Sequence, residues 1–409
     1  MQGKRQPGSA FKPFVYAAAL ESGYTTATLI DRLDEPIDTL QGAWVPEDGH
    51  SDAPELTMRT ALKTSSNRAA VRMLEMVGVK AVVDYAGKLG LGAVPAVPSL
   101  ALGSGEVTLF DMTSAYGVFA NQGRWRKPVL IRRVEDLDGS VLFAADRSEA
   151  QAVDPDTAFL MTSMLADVLD SGTAWKARQL GFRLPAAGKT GTTNDYRDAW
   201  FVGYTPRITA GVWVGYDAPK PILPGSAYAA DVAVPLWAAF MKAATAHDKA
   251  EPFVRPSDIV AVQICRLSGK RPAGGCDAVP VSLESGGHED HSMVSTEFFA
   301  AGTEPEDTCD LHVGRSLLGR IADMFTGPAP EVPQQRRADH VEPAAPTAAV
   351  APVLPRPSAP AAEAAPEPAK KRGFWGRLFG RRDKNDPDGK DQDKNESDKK
   401  KAPPRPRRR

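Results

Sequence analysis

Long apolar runs are missing from this chain. No stretch approaches the ~18–20 consecutive apolar residues that a membrane-spanning helix needs, which excludes a polytopic membrane protein. Near the amino terminus Lys4 and Arg5 precede an apolar run, but Lys12 and Pro13 interrupt it before the pattern of a secretory leader develops. Cysteine is scarce: Cys265, Cys276 and Cys309 are too few for a disulfide framework. All three fall within 45 residues, which suits one local bridge in an exported chain and inert thiols in a reducing compartment. Histidine is scarce too. None of the six (His50, His247, His288, His291, His312, His340) lies beside a Gly-rich turn or a candidate nucleophile at informative spacing. A base other than histidine is therefore expected for any hydrolase-type serine. His288-Glu-Asp-His291 sits in a polar stretch and carries little weight as a metal site; no Cys/His zinc spacing and no phosphate-cradling Gly loop is seen, so no metal and no cofactor is expected.

Charge of one sign is also lacking overall, at a net −1, but that balance conceals a split. Residues 370–409 hold 16 Lys/Arg and 7 Asp/Glu, whereas the rest of the chain holds 34 basic and 44 acidic side chains. An acidic body thus carries a basic tail. With 42% hydrophobic residues the body can bury a sizeable core, which excludes wholesale disorder.

Residues 1–250 read as an α/β body. Helical apolar spacing follows Ser9 and recurs over Met58–Met76, Ala81–Leu89, Leu109–Phe119, Asp156–Leu169 and near Val232–Ala246. A hairpin is expected at Asp138-Gly139, between Val129–Val134 and Val141–Ala144. Strand character marks Leu184–Thr190, Ala199–Tyr204 and Ile208–Tyr216, the last two turning at Pro206-Arg207. Residues 251–325 form a small Cys-bearing extension. From 326 to 369 the chain holds 11 Pro and 13 Ala, the composition of an extended linker. Residues 370–409 read as a basic disordered tail, within which Lys370–Arg382 places Phe374, Trp375, Leu378 and Phe379 among basic residues. A solubilising end is the plain reading of that segment; an anionic membrane surface is the sharper one.

The chemistry points to serine and lysine. Pro7-Gly8 is a turn signal before an apolar-periodic stretch, so Ser9 should start a helix with Lys12 one turn on, on the same face. A partly buried lysine beside a second cation has a depressed pKa and can serve as a base toward a serine hydroxyl. By itself Ser9-x-x-Lys12 means little: Ser397-Asp-Lys-Lys400 matches it in the tail, and an N-cap explains Ser9 equally well. Ser65-Ser66-Asn67 lies inside a helical pattern, and Lys189-Thr190-Gly191-Thr192 ends a strand at a turn; each alone has an ordinary structural explanation. The ordered set S-x-x-K, S-x-N, K-T-G is far less common than its parts, and it is the signature of penicillin-binding proteins and class A β-lactamases.

The resemblance extends beyond those triplets. Lys4-Arg-Gln-Pro-Gly-Ser-Ala-Phe-Lys-Pro-Phe14 resembles the nucleophile segment of class A, bifunctional penicillin-binding proteins. Leu100–Thr108 and Ser114–Gly123 are similar to that family's mid-domain segments, Ala187–Asp195 with Asp198–Tyr204 to its third-motif strand and neighbour, and Gly302–Cys309 to a stretch near the end of the region. The resemblance implies a penicillin-binding, serine β-lactamase-like transpeptidase fold: an antiparallel sheet flanked by helices. It also implies acyl transfer on peptidoglycan stem peptides ending in D-Ala-D-Ala, with β-lactams acylating the same serine.

On that resemblance Ser9 is the nucleophile, Lys12 accepts its proton, and Ser65 relays a proton to the leaving amine. Asn67 binds a substrate backbone carbonyl; Lys189, Thr190 and Thr192 take the terminal carboxylate. The backbone N–H groups of Ser9 and Thr192 form the oxyanion hole, and Gly191 lets substrate approach the strand. Export, implied in the same way, places the domain at the extracytoplasmic face of the inner membrane; it makes Cys276–Cys309 the favoured bridge, with Cys265–Cys276 its competitor. Nucleic acid is not an expected partner. The family carries an anchor, a glycosyltransferase domain and sheet strands before its S-x-x-K helix, so the chain is expected to be a C-terminal piece lacking them. The alternatives are a D,D-carboxypeptidase, a β-lactamase-type hydrolase, for which no deacylating base is identifiable, and a fragment that only binds.

Overall fold

The computed structural model describes residues 3–39, 42–48, 52–193, 196–222, 228–282 and 287–313. The expected linker (326–369) and basic tail (370–409) lie outside the described residues, which all belong to one unit, Met1–Ala344. The helices run in chain order α1 (Lys12–Glu21), α2 (Met58–Thr64), α3 (Asn67–Val77), α4 (Val79–Lys88), α5 (Leu109–Ala120), α6 (Pro155–Asp170), α7 (Lys176–Gln179) and α8 (Ala229–Ala244). None is long and apolar enough to cross a membrane.

The largest sheet among the described residues has three antiparallel strands in the order Ala187–Thr192, Asp198–Tyr204, Thr209–Gly215. Its middle strand, Asp-Ala-Trp-Phe-Val-Gly-Tyr, is buried along its whole length, because helices cover both faces. On one side Trp237 of α8 donates its indole N–H to the carbonyls of Gly203 and Ala210 and packs edge-on against Phe201, 4.9 Å between ring centres. A close backbone approach makes this fit, since a Cβ at Gly203 would lie 2.9 Å from the Trp237 ring. The expected strand pair holds, with its turn at Pro206-Arg207; the strand expected over Leu184–Thr190 is displaced to Ala187–Thr192, so all of Lys189–Thr192 is on the sheet edge.

Helix α1 is buried almost throughout, from Lys12 to Leu20, and shows why a helix that is apolar all round must be central. Phe14 meets Tyr116 and Phe119 of α5 at 5.6 and 6.0 Å, and α6 lies along the sheet with Met161, Met164 and Leu165 buried. The helical pattern over Met58–Met76 is two helices, not one. It breaks at Ser65, which adopts the left-handed conformation (φ 62°, ψ 34°), and Ser66 restarts the chain by accepting the Ala69 N–H at 3.1 Å. The Asp138-Gly139 hairpin forms as Arg133–Glu135 with Val141–Ala144 and is exposed on both faces.

The extension pairs Ile259–Cys265 with Val294–Ala300 and Val279–Ser282 with His288–His291. It is fastened to the body by Arg59 of α2, whose guanidinium forks onto Glu297 (2.5 and 2.6 Å) and reaches Asp167 at 2.9 Å. No disulfide joins Cys276 to Cys309 or Cys265 to Cys276: all three cysteines are free and buried.

Candidate active site

Ser9 lies in a short 3-10 turn, Gly8–Phe11, that feeds directly into α1. The turn is held on two sides. Tyr116 donates its hydroxyl to the Ala10 carbonyl at 2.6 Å, and the backbone of the Ala187–Thr192 edge strand lies against it. That contact is between backbones: a Cβ at Gly8 (φ +56°) would fall 2.5 Å from the Thr192 carbonyl oxygen, and one at Gly191 would fall 2.2 Å from that of Pro7. Gly191 therefore leaves room for the Gly8–Phe11 turn that carries Ser9.

Lys12 begins α1 and is fully buried. Its ammonium donates to the Ser65 carbonyl at 2.5 Å, Asn67 Oδ1 at 2.7 Å and Ser65 Oγ at 3.3 Å. Ser9 is not among its partners, although the one-turn spacing predicts that the two meet. Three acceptors from the α2–α3 junction hold the amine instead, and the left-handed turn at Ser65 is what brings the carbonyl and hydroxyl of one residue to the same point. Lys189, on the edge strand and likewise fully buried, donates to Ser65 Oγ at 2.8 Å and lies 3.3 Å from Thr190 Oγ1. One hydroxyl, Ser65 Oγ, thus sits between two lysine amines from distant parts of the chain.

Burial governs their charge. Desolvation lowers Lys12 to about 7 against an opposing pull from Asp48, and lowers Lys189 well below the usual lysine range, with the neighbouring Lys12 adding to the effect. A lysine amine that is largely neutral just above pH 7 can take a proton, which an ordinary surface lysine cannot.

Asn67 accepts from Lys12 through its oxygen and donates its amide to the Glu47 carbonyl at 2.8 Å, leaving its second N–H for another acceptor. Thr190 Oγ1 pairs with Thr173 Oγ1 at 2.8 Å. Thr192 Oγ1 accepts the Ala229 N–H at the start of α8 (3.1 Å), so its own proton remains available. Ser9, Lys12, Ser65, Asn67, Lys189, Thr190, Gly191 and Thr192 thus lie along one seam, between the Gly8–Phe11 turn, the α2–α3 junction and the edge strand. Cys276 and Cys309 lie elsewhere, in the extension.

Sequence reasoning misses three contributors. Asp48 comes from an irregular stretch, accepts a short hydrogen bond from the Ser66 hydroxyl and pulls on Lys12. Glu47 supplies only its carbonyl. Thr173 follows Gly172, which has no room for a side chain between α6 and the Lys63 carbonyl. None stands in a recognisable motif, because their roles depend on chain crossings. A separate cavity of about 460 Å³, lined by Tyr24, Thr25, Asp156 and Phe298 among others, holds none of the seam's residues.

Residues 1–242 match the penicillin-binding protein transpeptidase domain, and residues 255–314 match the C-terminal domain of penicillin-binding protein 1A. Penicillin-binding protein 1A of Aquifex aeolicus is 38% identical over 312 residues, covering 75% of this chain and 40% of the relative. That of Neisseria gonorrhoeae is 38% identical over 275 residues, covering 64% and 34%. The chain therefore spans between a third and two-fifths of the length of these relatives. Among solved structures, penicillin-binding protein 1A from Haemophilus influenzae aligns over 76% of this chain and 50% of its own (TM-score 0.65, 27% identity). PonA1 from Mycobacterium tuberculosis, solved in complex with penicillin V, aligns over 66% and 75% (TM-score 0.55, 26% identity). The ordered motifs, the sheet with its flanking helices and the match over 1–242 lead to one conclusion: the chain has the penicillin-binding transpeptidase fold and belongs to that family.

Proposed function

We propose that this chain carries a serine D,D-transpeptidase of peptidoglycan, working at the extracytoplasmic side of the bacterial membrane and acylated by β-lactams. The observation that carries the reading is the convergence of Lys12 and Lys189 on Ser65 Oγ, at 3.3 and 2.8 Å, beside the turn that holds Ser9. A relay needs such a chain of exchangeable protons, and two buried amines of lowered basicity supply it.

In this reading Ser9 Oγ forms a bond to the carbonyl carbon of the penultimate D-Ala while its proton passes to neutral Lys12. The charge that develops on the carbonyl oxygen is met by the backbone N–H groups of Ser9 and Thr192; one such donor is worth about 3 kcal/mol of barrier. The C–N bond to the terminal D-Ala then breaks, and the proton travels from Lys12 through Ser65 to the departing amine. The amine of a second stem peptide then attacks the acyl-enzyme carbonyl, the Ser9 Oγ–C bond breaks as the new C–N bond forms, and the proton the amine loses returns to Ser9 Oγ. Lys189, Thr190 and Thr192 hold the terminal carboxylate and Asn67 the peptide backbone. The penicillin V complex of the Mycobacterium tuberculosis relative supports the β-lactam part of the reading. Ser9-dependent covalent labelling of the purified chain by a fluorescent penicillin tests the proposal, with release of D-Ala from a D-Ala-D-Ala peptide as the second readout. Labelling that persists in Ser9→Ala, or a well-folded chain that neither labels nor releases D-Ala, would overturn it.

A further inference from the structure

We propose that the extension binds one Zn²⁺ through Cys265, Cys276, Cys309 and His312. The four donor atoms all lie within 4.8 Å of one another. His312 Nδ1 is 3.4 Å from Cys265 Sγ, 3.6 Å from Cys276 Sγ and 3.4 Å from Cys309 Sγ. A tetrahedral zinc with Zn–S of about 2.3 Å and Zn–N of about 2.0–2.1 Å separates sulfur from nitrogen by about 3.5 Å. The three measured separations bracket that edge length. A disulfide would draw two sulfurs together and leave the third thiol and the imidazole without a purpose; nothing about a bridge calls for three sulfurs equidistant from one nitrogen. Three soft thiolates with one imidazole suit zinc above the harder divalent cations.

The need for such a site is visible in the packing. Around it the buried cluster is Cys265, Cys276, Val279, Met293 and Cys309, so three of five core residues are the thiols themselves. A segment with so small an apolar core requires a cross-link to hold its loops. The donors come from three stretches: the end of the Ile259–Cys265 strand, the turn at Cys276, and the Cys309–His312 turn. Each is already fixed by backbone bonds, Cys265 N–H to Lys270 (2.8 Å), Met293 N–H to Cys276 (2.7 Å), Cys309 N–H to Arg271 (2.7 Å) and Gly275 N–H to His312 (3.1 Å). The Ala273 N–H also points at Cys276 Sγ, 3.3 Å away, the kind of outer bond that stabilises a coordinating thiolate. The spacing explains why the sequence reading expects no metal: ten residues part Cys265 from Cys276 and thirty-two part Cys276 from Cys309. Only Cys309-x-x-His312 has a familiar metal-binding interval.

The test uses the full chain, purified with a non-thiol reductant, stripped by a chelator and titrated with Zn²⁺ and, separately, Co²⁺. One equivalent of metal per chain is expected, and the cobalt form should show the strong visible bands of a tetrahedral site with a thiolate charge-transfer band in the near ultraviolet. His312→Ala should bind at least about tenfold more weakly with altered bands, and Cys276→Ser should lose the charge-transfer intensity. Absence of stoichiometric metal in the reduced chain would overturn the site. So would a chain isolated without reductant whose mass shows an intact Cys–Cys bridge and which takes up no metal after reduction. Either failure leaves the transpeptidase reading untouched, because Ser9 labelling reports on that separately.

Discussion

Replacing Gly8 by alanine should displace Ser9, the proposed nucleophile, or destabilise its turn, and the size of the effect follows from two features of the backbone. At φ +56° a residue with a Cβ pays about 1–2 kcal/mol that glycine does not. The new methyl would also lie 2.5 Å from the Thr192 carbonyl oxygen, about 0.9 Å inside ordinary contact at 3.4 Å. If the turn holds its place, overpacking adds about 1–3 kcal/mol. The total, about 2–5 kcal/mol, corresponds to a fall in Tm of about 4–10 °C. If the turn yields, Ser9 moves by most of an ångström relative to the edge strand, and a misplacement of ~1 Å can cost about 10²-fold in rate. Stability and acylation are thus two outlets for one steric conflict, and at least one must register. The assay is the second-order rate of penicillin acylation of Ser9 beside the thermal midpoint of the unacylated chain. Gly3→Ala serves as control, because a Cβ there meets nothing within 4 Å. A Gly8→Ala chain that acylates within twofold of the parent at an unchanged midpoint would refute the cradle.

Other consequences follow from the same structure. With Lys12 as the base in the proposed mechanism and its pKa lowered to about 7, acylation should be slow in acid and rise with pH as that amine loses its proton, half-maximal near 7; a flat profile from about pH 6 to 8 would remove Lys12 from the role. Thr173→Val keeps shape but deletes the partner of the Thr190 hydroxyl, so peptide binding should weaken about fivefold, the worth of about 1 kcal/mol, with little change in turnover. Arg59→Ala leaves Glu297, whose side chain is 3% exposed, with an uncompensated charge and should destabilise the fold by about 3–5 kcal/mol in denaturant unfolding. Equal stability in that variant would mean the extension is not fastened through this pair.

Helices and strands were legible wherever periodicity alone decides them: α1, α5, α6, α8 and the paired strands fall close to where their apolar spacing puts them. The break at Ser65 was not, because Met58–Met76 keeps helical spacing straight through it. What interrupts the helix is one left-handed residue whose hydroxyl and carbonyl are both claimed by lysines, a tertiary reason invisible to a local pattern. The site shows the same division. Residues within triplets could be named, because order and context reinforce each other. Asp48 and Thr173 could not, since each acts through a partner distant in the chain, Asp48 on Ser66 eighteen positions on and Thr173 on Thr190 seventeen positions on. At Gly191 the fold adds a requirement that no local pattern shows: a Cβ there would meet the carbonyl oxygen of Pro7, a neighbour distant in the chain.

The two lysines carry a final consequence for ligand binding. Both are fully buried and both have lowered basicity, so near neutrality the free site holds fewer protons than two ordinary lysines would. An anion arriving beside a buried amine favours its charged form and raises its pKa. Binding of a carboxylate ligand should therefore be accompanied by proton uptake, drawn from the buffer and not from the ligand, which is already ionised. Uptake should grow as the pH climbs above about 7, where Lys12 has lost its proton in the free site. Calorimetry of Ser9→Ala with a penicillin, which binds without forming the acyl bond, gives the number directly from the slope of binding heat against buffer ionisation heat. A positive slope that increases with pH is expected, and Lys189→Met should reduce it. A slope of zero from about pH 7 to 9 would mean that both amines keep a fixed charge through binding, and the tuning by burial would then have no part in recognising the carboxylate.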